Sequence, residues 1–192
     1  MMTHFVSDKT FTGVDFSKKR LPRGEYENCT FETCDFSGGF LDGQNFMECT
    51  FTDCNLSNAN IAHTTFKEVS FEHCKMMGLH FETCNPFLMD FSFTHCRLDL
   101  SSFTGMELKN QQFTDCKLIA VDFSNSILSQ AVFGDCDLEK AIFLNTDLSK
   151  ADLSTAFNIT LIPDQNRLSG ATFHRNSLAG LLLSHKIKVV DS

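Results

Sequence analysis

Every fifth residue of this chain is apolar over two long stretches. One register runs from Phe11 to Phe81, and a second runs from Leu88 to Leu153 after the phase shifts by two residues at 85–87. The members of both registers are all Phe, Leu, Ile, Met or Tyr. Neither the 3.6-residue period of an α-helix nor the two-residue period of a strand keeps every fifth side chain on one side. A chain that turns a corner every five residues does so, and this predicts an all-β solenoid.

The spacing of like residues indicates four sides per coil. Cys34, Cys54 and Cys74 are 20 residues apart, so equivalent residues are predicted to stack in successive coils. In the second register Phe and Leu alternate, which places Phe on two opposite sides and Leu on the other two. Coils would stack at the usual strand spacing of roughly 4.8 Å. Each buried Phe or Leu contributes roughly 1.5 to 3 kcal/mol, so the repeat accounts for the stability of the fold.

The two ends of the chain depart from the repeat. Residues 1–10 are predicted to be an N-terminal cap, residues 11–157 the β-helix, and residues 158–192 an irregular last coil with a C-terminal cap. In this last segment the pattern partly resumes at Leu168, Phe173 and Leu178, and a short helix with a terminal strand is expected after it. Caps are expected because open ends of stacked strands invite polymerisation. The apolar tail consists of Leu181, Leu182, Leu183, Ile187, Val189 and Val190, and it can either mediate dimerisation or cap a monomer.

Charge and composition exclude several functional classes. The net charge of −8 argues against direct binding to nucleic acid, because phosphate contacts need clustered Lys and Arg. No uncharged run of about 18 apolar residues occurs, which argues against a membrane span. The N-terminus also lacks a basic segment followed by an apolar run, so the protein is predicted to be cytoplasmic.

The nine cysteines suggest neither a disulfide framework nor a metal site. In a cytoplasmic chain they are expected to be reduced, small core residues, although stacked thiols could pair on oxidation. His73-Cys74 and His95-Cys96 are adjacent pairs, and no Cys-x2-Cys spacing accompanies them. Because phosphate-binding and nucleophile motifs are also missing, we expect no catalytic residues, no metal and no cofactor.

Four short units carry a resemblance to a known family. They are Cys34-Asp35-Phe36-Ser37, Ala59-Asn60-Ile61, Val121-Asp122-Phe123-Ser124 and Ala151-Asp152-Leu153-Ser154. These units resemble the pentapeptide-repeat consensus, and the likeness extends over residues 11–153. The phase shift at 85–87 and the tail at 162–168 and 181–190 are similar to the Qnr quinolone-resistance and microcin immunity proteins.

This resemblance implies a right-handed quadrilateral β-helix with a short C-terminal capping helix, forming a homodimer through the C-terminus. It also implies an acidic protein that imitates DNA and binds DNA gyrase or topoisomerase IV. Qnr proteins carry protruding loops implicated in protecting the topoisomerase, whereas the registers here contain no insertion longer than two residues. Binding without protection from a drug is therefore a second expectation.

Thirteen acidic residues are candidates for the partner-binding surface. Between Arg23 and Lys67 the chain contains Glu25, Glu27, Glu32, Asp35, Asp42, Glu48 and Asp53, with no Lys or Arg. Nearer the C-terminus are Asp115 and Asp135, which should stack, with Asp122, Asp137, Asp147 and Asp152 on neighbouring coils. The alternative is a general interaction scaffold with an unrelated partner, in which the acidic residues only maintain solubility.

Overall fold

The computed structural model describes residues 4–87 and 89–187. The chain divides into two compact units, residues 1–102 (unit 1) and residues 103–192 (unit 2). Within each unit, short parallel strands and isolated parallel bridges recur along a chain that turns a corner every five residues. The all-β solenoid predicted from the five-residue period is confirmed.

Unit 1 contains two parallel sheets. Its strands are β1 (His4–Ser7), β2 (Thr10–Thr12), β3 (Gly24–Glu27), β4 (Thr30–Glu32), β5 (Asn45–Met47), β6 (Thr50–Thr52), β7 (Thr65–Lys67), β8 (Val69–Glu72) and β9 (Phe91–Thr94). The first sheet has the order β1-β3-β5-β7, and the second contains β2, β4, β6, β8 and β9 in that order. The remaining two sides are held by isolated bridges such as Asp35↔Asn55 and Phe40↔Asn60. Residues 4–7, within the segment predicted as a cap, form part of the first coil.

The strand register shows where the repeat is interrupted. Phe31 pairs with Phe51, and Phe51 pairs with Phe71, so successive coils are offset by 20 residues. Between β8 and β9 the offset increases, because Phe71 pairs with Phe93. A 3₁₀ turn at Phe81–Thr83 lies within this longer connection.

Unit 2 has the same coil architecture of short parallel strands and isolated bridges. Its strands are β10 (Gln112–Thr114), β11 (Val132–Gly134), β12 (Asp152–Leu153) and β13 (Thr172–Phe173), which form a parallel sheet in that order. The last coils are interrupted or followed by three 3₁₀ turns and one helix. The turns are Pro163–Gln165, Arg175–Ser177 and Leu183–His185, and the helix is α1 (Leu178–Leu182). The predicted short C-terminal helix is therefore present, whereas the predicted terminal strand falls largely beyond residue 187, outside the described residues.

The core consists of the two apolar registers. All their described members are buried except Phe11, which lies in the first coil and stacks on Phe31 at a ring distance of 4.9 Å. In unit 2, Phe103, Phe123 and Phe143 stack on one side, and Phe113 stacks on Phe133 on another. Leu178, one of the positions at which the five-residue pattern partly resumes, is 49% exposed and begins α1.

The residue two positions before most core residues is also buried. Where this residue is Cys or Thr, its side chain can donate a hydrogen bond to the coil before it. Cys54 Sγ donates to the carbonyl of Phe31 at 3.3 Å, and Thr64 Oγ1 donates to that of Leu41 at 2.7 Å. Thr146 makes the same contact with the carbonyl of Phe123 at 2.9 Å. Cysteine is thus a small core residue, as predicted, and it has a second role as a hydrogen-bond donor.

Candidate protein-binding surface

The described residues provide little basis for a catalytic or metal centre. The side of unit 1 carries a shallow groove of about 410 Å³, lined by Asn58, Ile61, His80 and Thr83 among others. No group of three or more His, Cys, Asp or Glu residues within 4–87 and 89–187 could hold a metal ion. In the same residues no helix is long and apolar enough to cross a membrane.

Five acidic residues of unit 1 lie at or beside one corner of the coil. Glu25 and Glu27 flank the buried Tyr26 on β3 and therefore point outward. Glu48 occupies the corner that follows β5. The equivalent corners carry Asp8 in the first coil, Asn28 in the second and Glu68 in the fourth. We call these five residues, Asp8, Glu25, Glu27, Glu48 and Glu68, the acidic corner.

The backbone holds the acidic corner in a fixed conformation. Asp8, Glu48 and Glu68 all have φ values of 53° or 54°, in the left-handed region that tightens each corner. The Asp8 N–H donates to the carbonyl of Glu27 at 3.1 Å, and the Glu48 N–H donates to that of Lys67 at 2.9 Å. Three of the four successive corner positions therefore carry a carboxylate, the second being Asn28, and stacked strands are spaced roughly 4.8 Å apart.

Few intramolecular contacts neutralise this corner. Asp8 accepts a hydrogen bond from Asn28 at 2.6 Å, and Lys67 lies 3.7 Å from Glu68. Glu25, Glu27 and Glu48 make no side-chain hydrogen bond or ion pair with any residue in the described part of the chain. Their charge is therefore available to a partner.

The other acidic candidates of unit 1 lie on different sides. Glu32 is the last residue of β4 in the adjacent sheet, and Asp53 is the first residue after β6 in the same sheet. The Glu32 carboxylate accepts a hydrogen bond from Thr12 at 3.2 Å. The Asp35 carboxylate accepts the backbone N–H of Ser37. Asp42 forms an ion pair with Arg20 at 2.7 Å, so it adds little net charge to the surface.

The acidic candidates of unit 2 do not form one surface. Asp122, Asp137, Asp147 and Asp152 each precede a core residue on a different side of the coil, because they precede Phe123, Leu138, Leu148 and Leu153. Asp115 and Asp135 share one corner, with φ values of 50° and 54°. A continuous patch made from all six residues is therefore excluded by the topology of the repeat.

Most of these aspartates accept a hydrogen bond from a nearby backbone N–H group. Asp122 accepts the N–H of Ser124 at 2.8 Å, Asp147 that of Ser149 at 2.9 Å, and Asp152 that of Ser154 at 2.9 Å. Hydrogen bonds from Ser149 lower the pKa of the Asp147 carboxyl, and hydrogen bonds from Ser154 lower that of Asp152.

The predicted dimerisation residues have mixed surroundings. Leu181 is 9% exposed and faces the protein, whereas Leu183 and Ile187 are 62% and 57% exposed. Leu182 is half-buried, and Val189 and Val190 lie outside the described residues. Gly180 allows α1 to dock closely, because an added Cβ would clash with the Ile159 carbonyl oxygen.

Two surface features were missed by sequence reasoning. Asp8 and Glu68 belong to the acidic corner, and the signal that reveals them is their 20-residue spacing from the equivalent corners at 28 and 48. The second feature is an exposed apolar patch in unit 2, formed by Ile142, Leu144 and Ile162. These residues lie outside the apolar registers, so the five-residue period does not reveal them.

Comparisons with known proteins agree with this architecture. A model of the pentapeptide repeat region matches residues 24–87 and 44–114, and a model of eight pentapeptide repeats matches residues 116–154. No curated protein sequence matches the chain. Full-length QnrB1, a plasmid-mediated fluoroquinolone resistance protein, is 18% identical over 96% of this chain and 100% of its own, with a TM-score of 0.63.

Two further structures are similar. A trypsin-treated QnrB1 variant is 19% identical over 98% of this chain and 100% of its own, with a TM-score of 0.63. HetL, a pentapeptide repeat protein from the cyanobacterium Nostoc involved in heterocyst differentiation regulation, is 17% identical over 88% of this chain and 83% of its own, with a TM-score of 0.44. At these identities the QnrB1 match shows the fold, a right-handed quadrilateral β-helix. With family models matching most of its length, the chain belongs to the pentapeptide-repeat family.

Proposed function

We propose that this protein is a non-enzymatic DNA mimic that binds a type II topoisomerase, DNA gyrase or topoisomerase IV, in the cytoplasm. Through that binding it modulates susceptibility to quinolones or to gyrase toxins. The observation that carries the proposal is the acidic corner of unit 1. The fold shared with QnrB1, a fluoroquinolone resistance protein, supports the choice of partner.

The physical argument concerns the preorganisation of charge. An enzyme that binds DNA presents Lys and Arg to a regularly spaced row of phosphates. The acidic corner offers carboxylates from successive coils, and the backbone N–H groups of Asp8 and Glu48 donate hydrogen bonds to the next coil. A rigid row of charge loses little conformational entropy on binding, which favours affinity. Protein binding of this kind should weaken as salt concentration rises.

The experiment is biolayer interferometry with immobilised gyrase holoenzyme and, separately, topoisomerase IV. The test variant carries Glu25→Lys, Glu27→Lys and Glu48→Lys. The matched control carries Glu72→Lys, Glu82→Lys and Glu107→Lys, which change the net charge equally on other parts of the chain. The proposal predicts salt-dependent binding that only the corner variant loses, by tenfold or more in Kd. Equal loss in both variants would indicate that net charge alone matters and would contradict a defined mimic surface.

A general interaction scaffold is the second candidate. The four-sided distribution of the unit 2 aspartates and their bonds to backbone N–H groups favour it, because such residues serve the fold and the solubility of the protein. Absence of binding to both topoisomerases in the same assay would favour this candidate.

We also propose that the C-terminus forms a homodimer through Leu183 and Ile187, with Val189 and Val190 in the same segment. Leu181 caps the core, while exposed Leu178, Leu183 and Ile187 leave apolar surface for a partner copy. Sedimentation equilibrium should give twice the mass of the chain, and Leu183→Glu should give a monomer. A wild-type monomer at micromolar concentration would show that the segment only caps the core.

A further inference from the structure

The outer side of unit 2 carries an apolar patch that the fold does not require. Ile142 and Leu144 flank the buried Phe143, and they are 48% and 42% exposed. Ile162, 40% exposed, occupies the position equivalent to Ile142 in the coil that follows. The preceding coil has Asp122 at the position equivalent to Ile142, and these two residues are bridged directly. Ser124, at the position equivalent to Leu144, is buried at 8% exposure. The fold therefore accepts polar residues at both positions, and the exposed apolar side chains of Ile142 and Leu144 call for another explanation.

Carboxylates lie along the chain on both sides of the patch. Asp122 precedes it by one coil, and the exposed Asp164 lies in the coil that follows, near the Asn145 N–H to Gln165 carbonyl bond of 2.9 Å. At the corner before Ile142, Lys140 forms an ion pair with Glu139 at 2.9 Å, so its charge is compensated. The patch is thus an apolar centre with an acidic rim, an arrangement typical of protein interaction sites.

We infer that the patch of Ile142, Leu144 and Ile162 docks a basic amphipathic segment of the partner protein, with apolar side chains against the patch and Lys or Arg beside Asp122 and Asp164. This inference rests on the proposed function, in which the partner is a type II topoisomerase. A second copy of the chain is a poor occupant, because an isologous contact would bring the acidic rims of the two copies together.

The two surfaces make different contributions to binding. Contacts at the acidic corner are electrostatic and weaken with salt, whereas apolar contacts keep their strength as ionic strength rises. The patch therefore supplies affinity that remains at high salt. Its removal should lower affinity at least tenfold at every salt concentration and leave the salt dependence itself unchanged.

The test variant is Ile142→Asn combined with Leu144→Ser, which introduces polar side chains like those of the preceding coil. The matched control is Phe40→Asn combined with Leu100→Asn, two exposed apolar residues of unit 1. Circular dichroism melts confirm folding, and the single variant Leu144→Ser replaces the double variant if the latter unfolds. Binding to immobilised gyrase holoenzyme and topoisomerase IV is measured by interferometry at low salt and at high salt.

Support consists of wild-type binding, a tenfold or greater loss for the patch variant at both salt concentrations, and no change for the control. Equal binding of wild type and patch variant would overturn the inference while the proposed function stands. Failure of the wild type to bind either enzyme would overturn the proposed function and the inference together. A wild-type dimer that the patch variant loses in sedimentation would identify the patch as a self-contact and would also overturn it.

Discussion

At the scale of single residues, the aspartate that precedes a core residue stabilises the fold by accepting a backbone hydrogen bond, which leaves less of its carboxylate available to a partner. Asp35, Asp122, Asp147 and Asp152 each accept the backbone N–H of the residue two positions later. This contact is typical of Asx turns and stabilises the corner of the coil. The carboxylates of Glu25, Glu27 and Glu48 accept no such backbone hydrogen bond in the described part of the chain, which makes them better candidates for partner contacts.

Substitutions at Asp122 separate these two roles. Asp122→Asn keeps the side-chain oxygen that accepts the Ser124 N–H, so the free energy of unfolding should change little. Asp122→Ala removes the acceptor and should lower it by about 1 kcal/mol. Urea unfolding followed by circular dichroism measures both. Equal destabilisation by the two variants would show that the charge, and not the hydrogen bond, stabilises the corner.

The buried thiols predict a loss of stability at alkaline pH. Burial raises the pKa of Cys49 from 9.0 to about 11. The unfolded chain therefore loses the thiol proton at lower pH than the folded chain does. The stability contributed by the neutral thiol is complete below pH 9 and declines as pH rises towards 11, at about 1.4 kcal/mol per pH unit.

Urea unfolding at pH 8 and pH 10 tests this effect. Cys49→Ala serves as the comparison, because the other titrating groups remain the same in that variant. The decrease in unfolding free energy between the two pH values should be smaller in Cys49→Ala by about 1 kcal/mol. An identical decrease would show that Cys49 ionises equally in both states.

At the scale of structural elements, the Phe columns are the main source of stability. Phe51 is fully buried and stacks between Phe31 and Phe71 at ring distances of 4.6 and 5.1 Å. Phe51→Ala should lower the free energy of unfolding by about 3 to 5 kcal/mol, because it opens a cavity in a column. Phe5→Ala, at a position 56% exposed, is the control and should cost much less. Similar losses would contradict the column as the stabilising element.

The C-terminal helix depends on one glycine. Gly180→Ala places a Cβ against the Ile159 carbonyl and should displace α1, exposing Leu181. Hydrogen exchange of the last coil should accelerate while exchange in unit 1 is unchanged. Ala179→Ser, at an exposed position of the same helix, is the control. Unchanged exchange in Gly180→Ala would show that the close approach to Ile159 is dispensable.

Sequence reasoning predicted the core well because each register residue repeats the same environment in every coil. It placed Phe and Leu on alternating sides of unit 2 and identified the cysteines as core residues. It did worse with the surface, since one column position can carry Asp122 in one coil and Ile142 in the next without changing the fold. The grouping of acidic residues depends on which side each one occupies, so residues near in sequence, such as Asp147 and Asp152, lie on different sides.

At the scale of the whole molecule, the net charge of −8 suits a partner that normally binds DNA, but it does not by itself define a binding surface. In the proposed function the acidic corner and the apolar patch provide that surface, because each places one kind of side chain at a set of positions that the fold leaves open. Charge at the corner is then expected to steer the encounter, and apolar contact at the patch is expected to prolong the complex.

The most direct measurement is the supercoiling of relaxed plasmid by purified DNA gyrase with increasing amounts of this protein, with and without ciprofloxacin. The account predicts that micromolar protein inhibits supercoiling or restores it in the presence of the drug. The variant with Glu25→Lys, Glu27→Lys and Glu48→Lys should do neither. A wild-type protein without effect on gyrase supercoiling, and without effect on decatenation by topoisomerase IV, would contradict the proposed function.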